Sequence, residues 1–162
     1  MHLCDESIDL WTIPLNDIGD RFQDHVQSLS ADERQRAARF RNSKDGRRFT
    51  LARGSLRSIL SQYLGTPANT IQLSYGAHGK PRLAETHQPS FEFNLSHSGD
   101  YALCALTKTH SIGIDIEKIR NADPGYYLRL ATRFFSRKEF EAINAASEHD
   151  RALFFFTCWT RK

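Results

Sequence analysis

The chain has 162 residues, 40% of them hydrophobic and 25% charged, with a formal net charge of +3. That length and composition suit one globular domain or two small ones, and they exclude collagen-like, low-complexity and disordered architectures. No run approaches the roughly 18 apolar residues of a membrane span.

A first strand is predicted over 8–15, ending near Pro14. Ile18, Phe22, Val26 and Leu29 keep helical spacing, which predicts a helix over 17–29. Ser30 followed by Glu33 is a capping-box pattern that starts a second helix reaching Phe40. A longer helix follows over 43–64, with Phe49, Ala52, Leu56, Ile59 or Leu60, and Tyr63 on one face. Gly65 then supplies a stop, and Pro67 prevents continuation. Strands come next: weak alternation over 70–75, a loop over 76–79 leading into Lys80-Pro81, alternation over 91–95, and an apolar run over 101–106. The intervening Ser96-His97-Ser98-Gly99-Asp100 reads as a tight hairpin connection, and 112–117 alternates again. Helices return over 124–134, over 136–145 and from His149 onward. The fold class expected is α+β with mainly antiparallel strands.

The small net charge hides a segregation. Residues 34–57 hold nine Lys or Arg and one acid, a charge of +8, so the rest of the chain carries −5. Such a block suits an anionic ligand or an acidic partner, or else is a solvated helix face. Part of it lies on the 43–64 helix, where it is expected to flank or oppose the apolar stripe and face a ligand. The start Met1-His2-Leu3-Cys4 lacks the basic flank and apolar stretch of a signal peptide. Cys4, Cys104 and Cys158 form no Cys-x-x-Cys pair, so a reducing, cytoplasmic setting with no membrane partner is the expectation. Cys104, in an apolar run, is expected to be a buried inert thiol.

Ile112-Gly113-Ile114-Asp115-Ile116-Glu117 carries the most chemical information. As a strand it places three isoleucines on one face and Gly113, Asp115 and Glu117 on the other. The two carboxylates, roughly 7 Å apart at Cα, could converge on a hard cation such as Mg²⁺. A charged strand edge would show the same pattern. His97 in its polar setting could meet a phosphate, move a proton or simply face solvent. Lys80 sits between two residues that constrain the backbone. No nucleophile elbow, zinc spacing or phosphate-binding P-loop is present.

The order G-K-P, F-N-L-S-H-S, I-G-I-D-I-E, F-F-S-R-K-E-F and W-T-R-K resembles the 4′-phosphopantetheinyl transferases of the surfactin-synthetase type, as does the L-A-R-G-S-L-R helix segment. The resemblance covers nearly the whole chain. It implies transfer of the phosphopantetheine arm of coenzyme A to a serine of an apo-acyl or apo-peptidyl carrier protein, releasing 3′,5′-ADP. It further implies Asp115 and Glu117 as Mg²⁺ ligands and catalytic residues, with Lys162 of the W-T-R-K run as a third catalytic residue. His97 with Ser96 would bind the 3′-phosphate or its neighbours. Lys80 and Arg36 match positions that contact the nucleotide, with Arg53 or Arg48 joining them. Part of the basic block could also dock an acidic carrier.

The same resemblance implies a fold of two pseudo-symmetric halves. The N-terminal half would occupy 1–114, and 115–162 would form the opening helices of an incomplete second half. The family motif continues W-x-x-K-E-A, so the chain reads as truncated before the third metal carboxylate. An uncovered half-interface would then favour self-association. The alternative reading is a truncated, non-catalytic module that binds coenzyme A or a carrier protein. A third, a Mg²⁺ phosphohydrolase or nucleic-acid binder using the basic block, lacks any RRM-like or helix-turn-helix signature. No nucleic-acid partner is expected.

Overall fold

A computed structural model describes residues 3–16, 21–76, 79–87, 91–119 and 123–161. The chain divides into two compact units, Met1–Ile114 and Asp115–Lys162, and its mixed helices and antiparallel strands make it α+β.

In the first unit a three-stranded antiparallel sheet forms from β1 (Asp9–Pro14), β4 (Glu92–Ser98) and β5 (Tyr101–Thr107), in the order β1-β5-β4. Pro14 ends β1, an edge strand, where a missing N–H breaks no ladder. A two-stranded ribbon joins β2 (Leu73–Tyr75) to β3 (Pro81–Leu83). The predicted strand over 70–75 is shortened, because Ala68–Thr70 winds into a 3₁₀ turn after Pro67.

Three helices complete this unit: α1 (Phe22–Ser28), α2 (Ala31–Ala38) and α3 (Ser43–Leu64). The helix expected from position 17 begins only at Phe22, and Ile18 lies outside the described residues. At the start of α2 the predicted capping box forms: the Ser30 N–H donates to Glu33 Oε2 at 3.0 Å, and the Ser30 side chain faces the Glu33 N–H in return. Asn42 caps α3 by accepting from the Lys44 N–H, and Gly65 closes it at φ +63°.

Leu51, Leu56 and Leu60 of α3 are fully buried, and with Ala52, Ile59 and Tyr63 they pack on Ile13, Phe93, Ala102, Cys104 and Leu106 of the sheet. Each buried Leu, Ile or Phe side chain among them stabilises the unit by about 1.5–3 kcal/mol. At the core margin the Trp11 Nε1–H donates to the Tyr63 hydroxyl, which donates to Asp9 Oδ2 at 2.6 Å. Burial first, and the Asp9 bond second, push the Tyr63 hydroxyl up to about 12. Burial alone pushes the Cys104 thiol up to about 12, which leaves it un-ionised and inert.

Two differences from the sequence reading bear on function. Ser96, His97 and Ser98 are not a connection but the end of β4, paired with Leu103, Ala102 and Tyr101. The turn is only Gly99-Asp100, with Gly99 at φ +61°, as a two-residue hairpin with glycine first requires. Residues 111–119 form no strand despite their alternation. Side chains take their backbone groups instead: Lys80 Nζ donates to the Ile112 carbonyl at 2.7 Å, and the Ile114 N–H donates to Asn94 Oδ1 at 2.8 Å.

The second unit holds α4 (Pro124–Phe134), α5 (Arg137–Ala145) and α6 (Glu148–Trp159). Its core is Tyr127, Ala131, Ile143 and Phe155, and Phe155 stacks on Trp159 at 5.7 Å between centroids. Ser136 and Ser147 cap α5 and α6 by accepting from the N–H groups of Glu139 and Asp150. No helix among the described residues is long and apolar enough to cross a membrane.

Candidate functional site

The basic block separates into parts that face in different directions. Arg57 is 2% exposed; its Nε donates to Glu33 Oε2 at 2.6 Å, and its Nη1 donates to the carbonyls of Ala68 and Ile71. Glu33 is equally buried and also lies 3.4 Å from Arg53 Nε. The Glu33–Arg57 pair thus ties the start of α2, the middle of α3 and the 3₁₀ turn together. The expectation that this stretch of α3 turns its arginines toward a ligand is corrected for Arg53 and Arg57, because Glu33 draws both inward.

Arg53 retains binding capacity even so. Its Nε and Nη1 are buried without a hydrogen-bond partner, and its guanidinium lies 5.8 Å from the ring centres of both Phe49 and Tyr75. Arg36 on α2 is exposed and lies over the same Phe49 ring at 5.2 Å. Phe49 therefore meets two guanidinium groups from different helices.

His97 is exposed on β4, and Ser96 beside it is half-buried. Adjacent strand residues point to opposite faces, so the two cannot act as a nucleophile–base pair. Lys80 is half-buried. An ammonium has three N–H donors, so its bond to Ile112 leaves capacity for an anion. In the second unit Asp115 is exposed and Glu117 half-buried. Glu117 and Lys118 line a cavity of about 290 Å³ whose other walls are aromatic, among them Tyr126, Tyr127, Phe155 and Trp159. Among the described residues no group of three or more His, Cys, Asp or Glu gathers as a metal site. Lys162, the third expected catalytic residue, lies outside the described residues.

These dispositions find a frame in comparison with known proteins. A model for the N-terminal region of 4′-phosphopantetheinyl transferases matches residues 16–109, and one for the 4′-phosphopantetheinyl transferase superfamily matches 111–162. The chain belongs to the 4′-phosphopantetheinyl transferase family. It is 40% identical over 161 residues to the 4′-phosphopantetheinyl transferase HetI of Nostoc sp., an alignment covering 99% of this chain and 67% of that protein. It is 31% identical to the transferase Sfp of Bacillus subtilis over 134 residues, covering 83% of this chain and 57% of Sfp. With the human L-aminoadipate-semialdehyde dehydrogenase-phosphopantetheinyl transferase it shares 32% over 145 residues, 85% of this chain and 47% of that protein. The chain thus spans two thirds of the first of these transferases and about half of the other two.

Sequence reasoning missed Asn94 and the pair Arg48–Asp100 in this phosphopantetheinyl transferase chain. Asn94 carried a signal, being a polar residue at an alternating strand position two before Ser96. Asp100 carried none, since acids at hairpin tips are ordinary turn residues.

Proposed function

We propose that this chain binds coenzyme A and serves transfer of its 4′-phosphopantetheine arm to a serine hydroxyl of an apo-acyl or apo-peptidyl carrier protein, in the cytoplasm. The observation that carries this reading is that two phosphopantetheinyl transferase models cover the chain almost end to end. In the reaction the serine oxygen bonds to the phosphorus that bears the pantetheine arm. The phosphoanhydride bond breaks, 3′,5′-ADP leaves with the bridging oxygen, and the serine proton passes to a base.

The chain's own residues supply binding and orientation. His97, exposed at the end of β4, suits a phosphate at the 3′ position, with Ser96 as a neighbour. Lys80 and Arg36 contribute cations toward the nucleotide, and the buried Arg53 has unused donors for a further acceptor. Asp115 and Glu117 offer the hard oxygen donors that Mg²⁺ takes, and two carboxylates completed by phosphate oxygens and water suit its octahedral shell. When bound, the ion would neutralise charge on the phosphates as the leaving group departs. Lys162 remains a proposed catalytic group by its place in the W-T-R-K run.

The test is the intact mass of an apo-carrier protein after incubation with the protein, Mg²⁺ and coenzyme A. A phosphopantetheine adduct on the carrier serine is expected, and Asp115→Ala should abolish it while leaving the thermal unfolding transition in place. A carrier of unchanged mass with the parent protein would overturn the assignment.

A further inference from the structure

The β4–β5 hairpin that carries His97 is held at its tip by a residue from a different element. Arg48 lies in the second turn of α3, and its Nη2 donates to Asp100 Oδ1. Asp100 is the second residue of the two-residue turn, and its carbonyl also accepts from the Leu15 N–H at 2.7 Å. The tip is thus tied on one side to the chain leaving β1 and on the other to α3. Both partners of the ion pair are about one quarter exposed, at 25% and 29%. Asp45, one turn earlier on α3, is 4.0 Å from Arg48 Nη1. Arg48 therefore faces two carboxylates, closely at Asp100, and its Nε is buried out of reach of solvent, so it is poorly suited to be the free cation that meets a phosphate.

His97 sits three residues before Asp100, on the outer strand of the sheet, opposite Ala102. Its strand has a ladder on one side only, so the direction of the imidazole depends on how firmly the tip is held. We propose that Arg48 and Asp100 are positioning residues: their ion pair fixes the hairpin tip so that His97 meets the 3′-phosphate of coenzyme A, and Arg48 itself does not touch the ligand. This rests on the coenzyme A reading above.

The experiment compares the parent protein with Arg48→Gln, Asp100→Asn and the exchanged pair Arg48→Asp with Asp100→Arg, at a temperature where all remain folded. Calorimetry measures the affinity for coenzyme A and for 3′-dephospho-coenzyme A. Each single variant should weaken coenzyme A binding by roughly three- to tenfold while changing dephospho-coenzyme A binding much less, and the exchanged pair should recover most of the loss. A merely structural role would weaken both ligands alike and so overturn the proposal. A loss with Arg48→Gln but none with Asp100→Asn would also overturn it, since Arg48 would then be a direct ligand. So would failure of the exchange to recover affinity after both single variants had weakened it.

His97→Ala separates the two readings. If it leaves affinity unchanged, the proposed ligand site falls; if it weakens binding and the Arg48 and Asp100 variants do not, only the positioning role falls. Amide hydrogen exchange over residues 99–101 needs no ligand. It should quicken in both single variants and slow again in the exchanged pair, and unchanged exchange would overturn the proposal.

Discussion

Arg57 and Arg36 belong to the same basic stretch of sequence, yet they do opposite things. Arg57 is 2% exposed, bonded to Glu33 and to two carbonyls, whereas Arg36 is exposed and rests on the face of Phe49. Arg48 stands between them, part-buried and paired with Asp100. A guanidinium buried as deeply as Arg57 needs a countercharge and carbonyl acceptors at hand, so it tolerates almost no change. An exposed one is screened by solvent and contributes little to folding, which frees it to serve a ligand. The +8 of residues 34–57 is therefore not one electrostatic feature. Its far end, at Arg57, is bonded into the fold, and its near end, at Arg36, is exposed.

The largest effect should come from removing the countercharge at the buried end. Glu33→Ala would leave Arg57 and Arg53 buried together, and a loss of about 3–5 kcal/mol is expected in urea unfolding. A loss below about 1 kcal/mol would mean that the two arginines are hydrated and that the contrast with Arg36 is false. Next comes the packing around the same stretch of α3. A Cβ built at Gly54 would lie 2.6 Å from the Cβ of His25 on α1, so Gly54→Ala should destabilise by roughly 1–3 kcal/mol despite its better helix propensity. A stabilised variant would show that α1 does not approach α3 this closely.

At the exposed end the expected stability changes are small. Arg36→Ala should cost about 0.5–1 kcal/mol of stability through its contact with Phe49, while lowering affinity for coenzyme A measurably. A stability loss as large as that of Glu33→Ala would erase the distinction drawn here. The smallest effect is the pH response of His25. Burial, the dominant cause, holds this imidazole below its ordinary value of 6.5. The unfolded chain therefore binds the proton more readily, so this contribution to stability is intact above pH 6.5 and is lost as pH falls through the lowered folded value. Stability should fall as the pH drops below 6.5, and His25→Gln should flatten that slope. An identical slope in the variant would assign the effect to other groups.

What the sequence reveals follows from how local each feature is. Helix α3 is legible because its apolar residues recur with the helical period and Gly65 marks its end. The Ser30–Glu33 capping box is legible for the same reason, being a pattern only four residues long. The second bond of Glu33, to Arg57, joins residues 24 positions apart, and no periodicity signals which arginine of a basic run will turn inward. His97 misleads in a different way. Polar Ser-His-Ser reads as a loop, yet these residues pair with Leu103, Ala102 and Tyr101 of β5, and on an outer strand a partly exposed polar residue continues the ladder at little cost. Residues 112–117 have the alternation of a strand, but a strand also needs a neighbour. Here Lys80 and Asn94 bind the backbone in place of a ladder. The family motifs locate the candidate ligands in sequence, while the partners of the hairpin tip and of the 112–114 segment emerge only from the folded chain.

In the proposed function the exposed end of the basic block, with His97, binds coenzyme A, while the buried Arg57 serves the fold. Calorimetric titration of coenzyme A into the Arg36→Ala, His97→Ala double variant, beside the parent protein, tests it most directly. The account predicts a clear loss of affinity with the thermal unfolding midpoint little changed. An affinity equal to the parent's, in a variant that remains folded, would contradict it.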